Sequence, residues 1–596
     1  MFSSFRLSMA WLHTWFGLVL GYVLMACFFF GSLSVFDREI DRWAIPESRF
    51  APQPMPSFDQ MLLPLLRQVQ PDEEDYAANM PRLHDPAKGP MTPRLELPAD
   101  EFWAYTTHRD PVLRMGAGFG IPLAKDPDAH NHIHGEVTID PRTGALLPGD
   151  RLKIGSEFFY PMHYSLHLHW LNLGYWIVGV AALVMLAALV SGVVMHRKVF
   201  REFFTFRPRK HVQRSALDLH NLTGVVALPF HFFFAFTGLV IFAGIYLPLE
   251  NTLLKPLHDA HEIAEAARTG LPHERAGEAA PIASVDAMVA QAKRRWDARG
   301  MPGEVGFLTL THVGDRNGYV SIFRAGSDQV ALVGQGVHFQ ASTGKVLRED
   351  PAPTALSSVN EFLTGLHLQH FRHWLLRWLY VLGGLAGCVC IATGFVFFVE
   401  KRKKQHAAKG VAGSRVVDAL AVTTVTGMVI AAIAILVVNR LLPTHLPARG
   451  DWEESAFWAA WALAMAHAFW RTAPVLRARI APAWREQCWA IAGLAVGAVL
   501  LNWATTGDHL LETLPAGYWP VAGVDLSLLV CAGIAVLAAR KLERRETSTG
   551  GAAPARQKNE ADETDDDALP GRVLPAGATA RLPAASPARP GGARHA

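Results

Sequence analysis

The residues of this 596-residue chain best placed to do chemistry are histidines. His13 and His220 stand inside two long apolar stretches, and His167 and His367 open two others. Neutral imidazoles from facing helices can supply both axial ligands of a b-type haem. Pairing His13 with His220 and His167 with His367 would hold two haems, one towards each membrane face. That is a path for single electrons, and it needs no acid or base among the side chains. A lone histidine in a span also serves as a helix–helix hydrogen-bond partner. Four of them in two matched pairs point to haem, because ionisable groups are costly in the bilayer and mark function. His163, His169, His196, His231, His370 and His373 lie in or beside the same stretches. His231 comes one long helical stretch after His220, about 16 Å along the axis. It is the alternative for an upper ligand and would bring the haems closer; His196 is the alternative for a lower one.

The elements that position these histidines are membrane spans. Half the residues are hydrophobic, only 18% are charged, and the net charge is +3, with no basic stripe for nucleic acid. A span needs about 20 apolar residues. Segments near 7–36, 170–195, 219–249 and 378–399 meet this, as do 419–439 and 487–507. The stretch 455–470 is short, and 516–540 is interrupted by Asp525. With eight spans, the basic loops at 197–216, 401–404, 471–485 and 540–545 all fall on one side, which places both termini in the cytoplasm. The run Leu7–Phe36 lacks charge and is too long for a signal-peptide core, so it reads as a retained helix. Cys27, Cys388, Cys390, Cys488 and Cys531 all lie in apolar segments without CxxC or CxxCH, so covalent haem attachment is not expected.

The expected fold is an α-helical membrane protein of about eight transmembrane helices with two small α+β extracytoplasmic domains. Span one occupies 1–36, the first domain 37–165, spans two and three 166–249, the second domain 250–366, and span four 367–405. Spans five to eight lie within 415–541. The Ala-, Pro- and Gly-rich tail 546–596 reads as disordered.

Spans and loops repeat. Leu12-His13 with Gly17 and Gly31 matches Leu219-His220 with Gly224 and Gly238. Leu166-His167-Leu168-His169 opens span two as Leu366-His367-Leu368-Gln369-His370 opens span four, and Ser191-Gly192 closes the one as Thr393-Gly394 closes the other. In the loops, Val137 to Leu147 and Val337 to Leu347 each read as strand, Thr-Gly turn, strand, after helix-like stretches at 57–70 and 283–296. The unit of span, extracytoplasmic domain and span is thus used twice, as a parallel repeat. His130-Asn-His132-Ile-His134 puts three imidazoles on one face of a strand, read as a solvent-facing strand with a metal contact as the alternative.

These residues resemble the PepSY-associated transmembrane proteins. The resemblance rests on Leu12-His13-Thr-Trp-Phe-Gly17, His163-Tyr-Ser-Leu-His167, Asp218-Leu-His220-Asn-Leu-Thr-Gly224 with Leu-Pro-Phe-His231, Arg377-Trp-Leu-Tyr380, and the turn Asp140-Pro-Arg-Thr-Gly144, together covering about 1–405. It implies a four-helix haem-binding core holding haem b, with periplasmic PepSY-like domains, in a bacterial-type inner membrane. It also implies a reductase that releases iron from a ferric siderophore or another ferric chelate. The second loop departs from the pattern, since Gln340-Ala-Ser-Thr-Gly344 lacks the Asp-Pro. No GxGxxG after a strand, P-loop or HExxH is present, so electrons would come from a cytoplasmic reductase or membrane quinol. The alternatives are a non-enzymatic PepSY membrane module that binds a partner protein or peptidase, and a siderophore or metal transporter with a midplane site at His231.

Overall fold

The computed structural model describes residues 4–66, 68–72, 99–120, 132–149, 151–195, 207, 211–246, 270–272, 274–326, 328–331, 335–472 and 482–550. The first unit contains α1 (Phe5–Val19), α2 (Gly21–Ser34), α3 (Asp37–Ala44), α4 (Tyr160–Tyr164) and α5 (Leu173–Met195). The second contains α6 (Val212–Val226), α7 (Leu228–Ile241), α8 (Val285–Ala298), α9 (Ala355–Leu368) and α10 (Trp374–Ala408). Five helical segments are long and apolar enough to cross a membrane: Trp170–Met195, Trp374–Lys403, Gly413–Leu441, Pro482–Thr506 and Trp519–Arg545. Two bent pairs qualify jointly, α1 with α2 at 60° and α6 with α7 at 63°.

Both bends fall at matching places, Leu20 and Ala227. In the second unit Pro229 sits in the first turn of α7, where its ring and missing N–H disfavour a continuous helix. The expected spans at 7–36 and 219–249 are therefore each two helices rather than one. The expected span at 455–470 falls in a helix, Arg449–Arg471, that is long enough to cross. Its opening turns carry Arg449, Asp451, Glu453 and Glu454, and it does not reach the apolarity of the others.

The two long loops fold differently from the two separate domains expected at 37–165 and 250–366. They share one antiparallel sheet of seven strands. The first loop supplies β1 (Ala99–Thr107), β2 (Asp110–Gly120) and β3 (His132–Ile139); the second supplies β4 (Val305–Thr311), β5 (Tyr319–Arg324), β6 (Gly336–Gln340) and β7 (Val346–Glu349). The order is β3-β2-β1-β4-β5-β6-β7, joined where β1 pairs with β4, Trp103 opposite Thr309. Alone, each half would leave β1 or β4 as an open edge of unpaired backbone groups; pairing them closes both. It also fuses the apolar faces into one core, in which Phe58, Phe102, Leu113 and Met115 meet Met288, Trp296, Leu310 and Phe339.

The helices behind the sheet cap one another across the junction. The Ser57 hydroxyl and Phe58 N–H donate to Asp286, at 2.5 and 2.8 Å. The Ser284 hydroxyl and Val285 N–H donate to Asp59, at 2.6 and 2.9 Å. Each loop thus supplies the carboxylate that satisfies the helix start of the other. The two Thr-Gly turns share one geometry: Gly144 N–H donates to the Asp140 carbonyl at 2.8 Å, and Gly344 N–H to the Gln340 carbonyl at 2.9 Å. Gly144 and Gly344 have φ of +73° and +69°, which glycine adopts without strain.

The C-terminal helices pack on the first unit through a buried polar seam. They are α11 (Gly413–Val422), α12 (Met428–Leu441), α13 (Arg449–Arg471), α14 (Pro482–Thr506) and α15 (Trp519–Gly550). Asp525 of α15 accepts the Trp43 indole N–H at 2.8 Å, and Arg49 donates to Asn502 of α14 at 2.8 Å. The carboxylate that interrupts the apolar pattern of 516–540 is thus satisfied by Trp43 of α3 and Asn502 of α14.

Candidate functional site

The structure brings His13 and His220 together, with ring centroids 6.0 Å apart and planes at 84°. Each ring lies against the last span of its own unit. His13 Nδ1 is 3.0 Å from the Ala188 carbonyl of α5, and His220 Nδ1 is 2.7 Å from the Cys390 carbonyl of α10. Ser191 and Thr393 hydroxyls donate to the same two carbonyls. A methyl group added at Gly192 would come 3.4 Å from the His13 ring, and one at Gly394 3.4 Å from that of His220. The two halves of the site are therefore built alike from Ala188, Ser191, Gly192 and from Cys390, Thr393, Gly394.

A second pair forms elsewhere in the bundle, and its members differ from those expected. His367 is met by His163, at 6.0 Å between centroids and 32° between planes. His163 Nδ1 is 2.8 Å from the Cys27 carbonyl of α2. His367 Nδ1 is 2.8 Å from the Thr237 hydroxyl of α7, which itself donates to the Phe233 carbonyl. Glycine again permits the approach: a methyl group at Gly31 would fall 2.7 Å from His163 Nδ1, and one at Gly238 3.2 Å from His367. Both rings line a largely apolar, partly open cavity with Tyr160, Tyr164, Tyr246 and Tyr380.

His167 does not take the place expected of it. Leu166 and His167 adopt left-handed backbone, φ +52° and +53°, and turn the chain outward before α5. The His167 ring stacks on Phe158 at 4.6 Å, and its Nε2 engages the Phe158 carbonyl at 2.9 Å. His231 is 1% exposed and packs edge-on against Phe28 at 5.3 Å. His196 and His130 lie outside the described residues, as does the side chain of His132; His134 is exposed on β3, at the sheet edge.

These pairs fit a haem iron on two counts. With metal–imidazole bonds of about 2.0–2.1 Å, two rings ligating one ion from opposite sides have centroids roughly 6 Å apart. In all four rings Nδ1 faces an acceptor, which fixes the tautomer and leaves Nε2 as the ligating atom. Among the described residues, no three or more His, Cys, Asp or Glu side chains gather to hold a bare metal ion. The histidines meet in twos, the number that the axial positions of a haem require.

Residues 10–401 match the family model described as the PepSY-associated TM region. The chain belongs to this family. The family region takes in both histidine pairs, the four glycines behind them and the whole seven-stranded sheet, and stops before α11. An uncharacterized protein of Pseudomonas aeruginosa is 28% identical over 369 residues, covering 59% of this chain and 86% of that relative.

Within this PepSY-associated region, an ion-pair layer separates the second histidine pair from the sheet. Arg38 bonds Asp110 at 3.2 Å, Arg109 bonds Asp37, and Arg377 bonds Glu39 at 2.9 Å and the Val35 carbonyl at 2.5 Å. Against burial, Arg109 and Arg38 hold the Asp37 carboxyl below its usual range. Burial pushes Asp41 up to about 6, although its Oδ1 accepts the Gly155 and Ser156 N–H groups at 2.7 and 3.2 Å. The segment that ends in His163 is thereby tied to α3. His163 and Thr237 escape a reading by sequence, since their roles depend on which helix faces them. The available signal was that His163 stands within the same short motif as His167.

Proposed function

We propose that this protein is an inner-membrane, haem-dependent oxidoreductase that passes single electrons across the bilayer to a periplasmic acceptor, a ferric siderophore or another ferric chelate. One b-type haem would lie between His13 and His220 and the other between His163 and His367. Bound haem supplies a one-electron couple whose potential is set by axial ligands and their surroundings. The observation that carries the proposal is the doubled construction: two imidazole pairs at 6.0 Å, with glycine behind every ring and an acceptor on every Nδ1.

The chain's own residues hold and orient. Backbone carbonyls of Ala188, Cys390 and Cys27 and the Thr237 hydroxyl fix ring direction and raise the basicity of each Nε2. Apolar walls around the second pair keep water away. The acceptor assignment comes from the family resemblance, and the sheet on the periplasmic side would position it. Counting α13 as a span gives eight crossings with both termini cytoplasmic. Electrons would enter from a cytoplasmic reductase or membrane quinol at the His13–His220 end.

Purified protein reduced with dithionite and freed of excess reductant tests this. Mixing with a ferric hydroxamate chelate should reoxidise the b-type bands while a ferrous trap gains colour. Bands that stay reduced with every ferric chelate tried would remove the acceptor assignment.

A further inference from the structure

Several guanidinium groups in and beside the ion-pair layer are incompletely used, Arg109 and Arg377 among them. The side chains of Arg109 and Arg377 are only 10% and 7% exposed, yet neither Nε–H has a hydrogen-bond partner. A buried charged donor without a partner is costly. Arg109 sits in the turn between β1 and β2, beside His108, and Arg377 in the first turns of α10. The chain that joins His367 to α10 bears His370 and Arg372, both exposed. Phe371 between them is fully buried and pins that segment in place.

Asp37, Glu39 and Asp110 from α3 and β2 pair with Arg109, Arg377 and Arg38, one carboxylate for each guanidinium, and Arg372 adds a further positive charge beside them. His108 reports this. Besides burial, Arg109, Arg372, Arg377 and His370 all act to keep a proton off it, holding it down at about 3. The same layer borders the cavity of the second pair, since Val35, whose carbonyl Arg377 bonds, and Gln369 line that cavity.

We infer that the junction between sheet and membrane is a binding site for a carboxylate anion, held by Arg109 and Arg377 and approached past His370 and Arg372. Guanidinium forks match carboxylates in shape and charge, and an anion there would satisfy the two unused Nε–H donors. The carboxylate can belong to a soluble metal chelate or to the propionates of a haem between His163 and His367. The second source rests on the proposed haem function; the first does not.

Calorimetric titration of the purified full-length protein with gallium(III)–EDTA, a redox-inert anionic chelate, tests the site, with haem content measured on the same samples. The variants are Arg109→Gln and Arg372→Gln, the latter at an exposed position that folding does not depend on. Saturable binding to the unaltered protein that weakens about tenfold in both variants, with haem content unchanged, supports the soluble anion; tenfold is the loss of one charge-assisted hydrogen bond. A wild type that does not bind the chelate, with Arg109→Gln losing one of two haems, supports the propionates. No chelate binding and unchanged haem in both variants would overturn the site. A protein that carries no haem at all defeats the proposed function but leaves the chelate titration readable.

Discussion

The two histidine pairs follow one rule but stand on different kinds of segment. His13 and His220 belong to the first helices of the two bent pairs, α1 and α6, and each leans on the far span of its unit. His163 and His367 come from short elements that lead into spans, α4 and the end of α9, and lean on α2 and α7. The first pair is therefore positioned by bilayer-spanning helix packing alone. The second depends also on the two long loops, the ion-pair layer and left-handed residues at Leu166, His167 and Gln369. A structure that duplicates its core can thus keep one site simple and leave the other open to adjustment from the sheet side.

Breaking either pair separately is the strongest way to challenge that contrast. His220→Ala should remove one of two haems, and His163→Ala the other, each read as loss of about half the pyridine haemochrome signal. His167→Ala should keep both. Equal losses from His163→Ala and His167→Ala would contradict the pairing found here. The supporting glycines should follow next in size and should differ between sites. Gly31→Ala puts a methyl group 2.7 Å from His163 Nδ1, so haem affinity at the second site should drop about 10–100-fold, as for loss of an outer-shell partner. Gly192→Ala, at 3.4 Å from His13, should change little.

The reciprocal caps sharpen the contrast from the sheet side. Asp59→Ala and Asp286→Ala should each destabilise the seven-stranded sheet by about 1 kcal/mol in thermal or urea unfolding. Neither should disturb the His13–His220 spectrum. The smallest effect is a pH dependence confined to the second pair's support. Asp41 is raised to about 6 from an ordinary 3.8, so its favourable contribution is complete below the lower value and is lost as pH rises through the higher. Asp41→Asn keeps the Oδ1 acceptor for Gly155 and Ser156. It should therefore remove the loss of thermal stability that the unaltered protein shows between about pH 4 and pH 7. A wild type equally stable at both ends of that range would count against the role given to Asp41.

The spans and the duplication were legible because apolar length and repeated Leu-His and Gly spacings survive as strings. His13 and His220 could be paired for the same reason: both stand in the same register of their repeats. His163 could not, because the matching strings Leu166-His167 and Leu366-His367 align residues that the backbone turns in opposite senses. At Leu166 and His167 the chain is left-handed, whereas Leu366 and His367 continue a helix to Gln369. The union of the loops into one sheet was also hidden, since strand alternation marks β1 and β4 but does not say that each is the other's edge partner. Asp525 looked like a flaw in a span until Trp43 and Asn502 were found opposite it.

The central claim is that the chain carries two haems on paired imidazoles. Low-temperature electron paramagnetic resonance of the oxidised, purified full-length protein, with haem quantified on the same sample, tests it most directly. The account predicts two b-type haems per chain, both low-spin with two imidazole ligands, one signal vanishing in His220→Ala and the other in His163→Ala. A purified protein with no dithionite-reducible Soret and α bands, or with a single haem that survives both substitutions, would contradict it.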